Sequence, residues 1–106
     1  MDYCLLYMTA GSAEEARRIG AALVDERLAA CVNVIDGMTS IYRWEGAVRN
    51  DSETVLIAKT RRALVEDVVA RVKALHSYRC PCVVALPIAG GNPAFLDCIG
   101  QETTKK

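Results

Sequence analysis

Apolar and polar residues alternate in blocks along this chain, and the period inside each block assigns it an element. Residues 3–9, YCLLYMT, form a continuous apolar run of strand length, as expected of a strand covered on at least one face. Ser12 followed by Glu15 is a capping box: the hydroxyl accepts from a first-turn amide while the carboxylate reaches back. Ala16, Ile19, Gly20, Leu23 and Leu28 then keep helical spacing, which predicts a helix over 13–27. Residues 29–35, AACVNVI, read as a strand and Asp36–Gly37 as a turn or bulge. MTSIYRWEG continues extended, being rich in β-branched and aromatic residues, and Asn50–Ser52 is a predicted turn. ETVLIAKT at 53–60 pairs with the preceding strand as a hairpin.

Beyond it, Leu64, Val65, Val68, Val69, Val72 and Leu75 share one stripe, which predicts an amphipathic helix over 61–76. CVVALPI at 82–88 is a fourth strand, with Pro87 near its end, where a missing amide donor is tolerated. Asn92 as N-cap and Pro93 in the first helical position open a short closing helix. The order β-α-β-β-α-β plus a terminal helix is the α+β, split βαβ or ferredoxin-like arrangement, in one domain over 1–106.

Composition adds an expectation of association. The chain has 106 residues, 52% of them hydrophobic, and its mean hydropathy is +0.15. That is a large apolar fraction for a small body, and contact between copies is one way to cover it. Thirteen basic residues balance thirteen acidic ones, so no cationic field of the kind that binds nucleic acid is expected. The first residues carry an acidic second position, no basic leader and too short an apolar run to span a membrane. The expectation is a cytoplasmic protein without structural disulfides, its five cysteines being reduced.

Several functions of this fold lack their residues here. The first strand-to-helix loop, TAGSAEEA, has no C-x-x-C pair for a metal chaperone, and its two carboxylates repel phosphate. The strand at 53–60 has no aromatic residue on which a base could stack. No nucleophile–His–acid set, P-loop or dinucleotide fingerprint is present, so no enzyme is expected. Glu14–Glu15, Asp25–Glu26 and Glu66–Asp67 read as solvated helix faces, and GGNP at 90–93 as plain capping.

Three segments carry a more specific signal: 23–61, LHSYRCPCVVALPI at 75–88, and GNPAFL at 91–96. Their pieces ERLAACVN, TSIYRWEG, IAKTR, the His-x-Tyr of 76–78 and ALPI closely resemble the CutA divalent-cation-tolerance proteins. The resemblance implies a homotrimer with strands paired between subunits, similar in architecture to the PII signalling proteins. It also implies a link with copper or other divalent metals. The long hairpin near 30–60, whose tip two short helices cannot cover, agrees with such association.

Two candidate sites follow. Cys80 and Cys82, two apart, are soft ligands suited to Cu(I) or Zn(II), and the fourth strand brings Cys82 toward Met8, with His76 nearby. His76, at a helix C-terminus, also suits a protonated cap. The family pattern is close to HPYEVPEI where this chain has HSYRCPCV, so glutamates are missing at Arg79 and Cys82, and soft ions are favoured. The second site is a cleft between subunits walled by Tyr42 and Trp44, with Lys59 as a cation. A small anionic ligand there, signalling to an unidentified protein partner, is the alternative function.

Overall fold

A computed structural model describes residues 2–103. Strand β1 (Tyr3–Ala10) leads into helix α1 (Ala13–Asp25); β2 (Cys31–Trp44) and β3 (Ala47–Arg61) form a hairpin. A 3₁₀ turn at Arg62–Leu64 precedes α2 (Val65–Leu75), and β4 (Val83–Pro87) and α3 (Pro93–Glu102) close the fold. The sheet is antiparallel in the order β2-β3-β1-β4, as the ferredoxin-like reading expects. No helix among the described residues is long and apolar enough to cross a membrane.

Alternation along the strands sorts the sheet into two faces. Leu6, Met8 and Ala10 of β1 and Leu56 and Ala58 of β3 face the helices, where they meet Ala16, Ile19, Leu23, Val68 and Val72. The stripe expected on α2 is thus the buried one. On the other face, Tyr7 stands between Ile57 and Val84, and Leu5 between Lys59 and Leu86. Part of this open face is bare apolar surface: Ile35 is 53%, Val84 52% and Leu86 48% exposed.

The Asp36–Gly37 bulge forms as expected, with Gly37 at φ 81° and a register shift between Ile35 and Met38. Asp36 Oδ1 fixes it by accepting from the Gly37 amide and the Thr54 hydroxyl, both at 2.8 Å. The turn expected at Asn50–Ser52 is not there. Those residues lie within β3, paired with Ile41, Ser40 and Thr39, and the chain reverses at Glu45–Gly46. Both turn residues have positive φ, 50° and 79°, the twist a two-residue hairpin requires. The hairpin arm stretches the molecule to 43 × 26 × 22 Å, and residues 41–50 are all exposed.

Two of the pairs expected on solvated helix faces are not simply solvated. Glu15 is buried, and Glu26 receives a forked contact from Arg71, Nε to Oε1 at 2.8 Å and a terminal nitrogen to Oε2 at 2.9 Å. Both partners are distant in sequence, beyond the reach of local reading. Asn92 caps α3 as expected, accepting from the Ala94 amide at 3.1 Å.

A cleft between the hairpin and the α2–β4 loop

The open end of the sheet holds a cleft of about 610 Å³, within the size range of small-molecule sites. One wall is the hairpin: Met38, Ser40, Tyr42 and Trp44 alternate onto it beyond the bulge, with Glu53 opposite. The floor is Tyr7 and Thr9 of β1, and the second wall is Tyr78, Arg79, Cys80 and Cys82 of the α2–β4 loop.

The loop is held at two points. Ser12 Oγ accepts from the Glu15 amide at 3.1 Å, the first half of the expected capping box. The Glu15 carboxylate then accepts from the Gly11 amide at 3.3 Å and from the Ser77 amide at 2.7 Å, tying the loop to the start of α1. Burial alone would raise the Glu15 pKa. The hydrogen bonds from Ser77 and Gly11 outweigh it and leave the group below the ordinary glutamate value.

The second tie crosses the cleft. Glu53 accepts from the Tyr78 hydroxyl at 2.9 Å and from Ser40 Oγ at 2.6 Å. Burial, reinforced by that bond to a carboxylate, pushes the Tyr78 phenol well above its ordinary value. Burial and the Glu53 charge likewise raise the Cys82 thiol. Beside Tyr78, Tyr42 donates to Asp51 on the hairpin.

His76 is the C-cap residue of α2, but its ring serves the loop instead of the helix carbonyls. Nδ1 accepts from the Tyr78 amide at 3.0 Å, so it carries no proton, and Nε2–H donates to the Thr9 carbonyl at 2.7 Å. Glu15 Oε2 stands 3.7 Å from Nδ1, but the amide proton already fills that lone pair, so the contact is not an ion pair in this tautomer. With its side chain 1% exposed and both nitrogens engaged, the ring is a structural joint in place of the protonated cap considered from the sequence.

The other expected residues divide. Cys80 and Cys82 share the cleft with Tyr42 and Trp44. Met8 does not face it: it lies in the core, 1% exposed, on the opposite side of β1 from Tyr7 and Thr9. The sulfur that does face the cleft is Met38, whose Sδ accepts from Tyr7 O–H at 3.3 Å. Period-two alternation puts Met38 on the face of Tyr42, but only its contact with Tyr7 on β1, thirty-one residues away, places it at the cleft, and no local signal carries that. Lys59 is distant within one chain. It stands twelve positions along β3 from Ala47, the partner of Trp44, about 40 Å at strand rise, and its ammonium contacts Asn33 Oδ1 at 2.5 Å.

Among the described residues no cluster of three or more His, Cys, Asp or Glu stands together, thiols included. The donors that line the cleft are the sulfurs of Met38, Cys80 and Cys82 and the Glu53 carboxylate.

Comparison with known proteins agrees with the fold. The divalent-cation tolerance protein CutA of Thermus thermophilus is 50% identical over 99 residues, spanning 93% of this chain and 96% of that protein. The chloroplastic protein CutA of Arabidopsis thaliana is 42% identical over 99 residues, but the chain spans only 54% of its length. The crystal structure of CutA1 from Oryza sativa superposes with a TM-score of 0.96 at 40% identity, covering 100% of this chain and 97% of that one. The CutA1 divalent ion tolerance family model matches residues 4–102, and the chain belongs to that family.

Proposed function

We propose that this protein is a non-enzymatic, cytoplasmic metal-tolerance protein, working as a homotrimer and taking up a soft cation, Cu(I) foremost, at the sulfurs of its cleft. The observation that carries the reading is that Cys80, Cys82 and Met38 line one cavity, although Met38 comes from a different element. Two thiolates and a thioether form a ligand set that favours Cu(I) over oxygen-seeking divalent ions. The open sheet face supports the trimer, since Ile35, Val84 and Leu86 present apolar area that a second and third copy would cover. A small-anion ligand has less support: the Glu53 carboxylate lines the cleft along with Arg79, and Lys59 is held away at Asn33.

Competition titration of the reduced protein against a Cu(I) chelator tests it. Saturation near one Cu(I) per chain, lost in the Cys80→Ser, Cys82→Ser double variant, is the expected result. Affinity unchanged by the double substitution would overturn it.

A further inference from the structure

The loop sequence Cys80-Pro81-Cys82 has a consequence that does not depend on metal. We infer that Cys80 and Cys82 form a reversible dithiol–disulfide pair that exchanges with low-molecular-weight disulfides.

The first ground is placement. Of the five reduced cysteines, Cys4 is buried in the core, Cys31 lies on the open sheet face and Cys98 is on α3. Only Cys80 and Cys82 line the cleft. The second is reach. Residues two apart are separated by at most about 7 Å between Cα atoms, at the upper edge of the range a disulfide spans. The backbone bends through residues 77–80, and regular strand pairing resumes only at Val83. The flanking ties, Glu15 to Ser77 and Glu53 to Tyr78, lie before Cys80, so the short adjustment that closes the ring leaves both intact.

The third ground is asymmetry. Cys80 is exposed and Cys82 partly buried, which assigns the order of attack. The Cys80 thiolate attacks one sulfur of the small disulfide RSSR: a Cys80 Sγ–S bond forms, the S–S bond breaks, and RS⁻ leaves to take up the proton Cys80 gave up. The Cys82 thiolate then attacks Cys80 Sγ, and the second RS⁻ departs with the proton from Cys82. Two protein thiols are oxidised to one disulfide, and one RSSR is reduced to two RSH. A bond closing so short a loop at an exposed site is strained and easily reduced, as regulatory disulfides are.

The test uses the full reduced chain, with a metal chelator present so that occupancy does not enter. It is equilibrated with glutathione and glutathione disulfide at graded ratios, quenched with an alkylating reagent and weighed by mass spectrometry. The expected result is a drop in alkylated thiols from five to three per chain, without added glutathione and reversed by excess thiol. Cys82→Ser is expected to stop at a glutathione adduct on Cys80, and Cys98→Ser to lose two thiols like the parent. Retention of all five thiols at every ratio, stable glutathione adducts in the parent, or a two-thiol loss surviving Cys80→Ser would each overturn the inference.

Discussion

Tyr78 donates its hydroxyl to Glu53 at 2.9 Å, joining the α2–β4 loop to the base of the hairpin across the mouth of the cleft. This bond sets the cleft's width, because the loop carrying Cys80 and Cys82 has its other tie at Ser77. Tyr78→Phe should cost about 1 kcal/mol, the net value of one such bond at a half-exposed site, read from the urea midpoint.

The same bond gives a pH dependence. The folded Tyr78 pKa is raised, so its stabilisation is complete below the unfolded tyrosine value, about 10, and is lost as pH climbs toward the folded value. Alkaline titration followed by tyrosinate absorbance should show two late-ionising phenols, that of Tyr42, bonded to Asp51, and that of Tyr78. In Glu53→Gln, the Tyr78 phenol should move back toward the ordinary range.

Glu15 works in the opposite direction. Its folded pKa is lowered, so its contribution is present above the ordinary glutamate value, about 4.3, and disappears as pH falls through the folded value. Glu15→Gln should destabilise the protein by about 1–3 kcal/mol at neutral pH, since an amide cannot present two acceptors to the Gly11 and Ser77 amides. The difference from the parent should shrink on acidification, as measured by denaturant midpoints across the acid range.

The hairpin tip offers a prediction of opposite sign. Glu45 sits at φ 50°, where a glutamate side chain is strained and asparagine is tolerated. Glu45→Asn should stabilise the protein by about 0.5–1 kcal/mol. Gly46→Ala, at φ 79°, should destabilise it by about 1 kcal/mol. Thermal midpoints distinguish this turn from one at residues 50–52, for which both substitutions would be neutral.

These cases show which features the sequence carried. The Ser12 cap, the Gly37 bulge and the Asn92–Pro93 helix start are settled by neighbours within a few residues, and each formed as read. The stripe from Leu64 to Val72 also stood out, because a helix repeats its buried face locally. Glu15 looked like a surface carboxylate because the amide that needs it, Ser77, lies sixty-two residues away. Met8 looked like the cleft sulfur because β4 runs beside β1. Pairing Met8 with Val83 puts Cys82 one residue out of phase, on the other face. Met38 shares the face of Tyr42 by plain alternation, but its place at the cleft rests on Tyr7, thirty-one residues away, which local reading does not reach.

Association is tested on the open face. The parent should scatter light as three chains per particle. Val84→Asp with Leu86→Asp places two charges where apolar contact is expected, and should leave single chains. Three chains per particle in that variant would move the interface elsewhere.

The central claim concerns which atoms meet the metal, and X-ray absorption at the copper edge of the Cu(I)-loaded, reduced protein reads them directly. The first shell should be sulfur alone. Met38→Leu should lower its coordination number by one, while Met8→Leu should leave it intact. A shell dominated by nitrogen would contradict the claim, because His76, with its two nitrogens committed to Thr9 and Tyr78, would then have to leave its buried joint to bind.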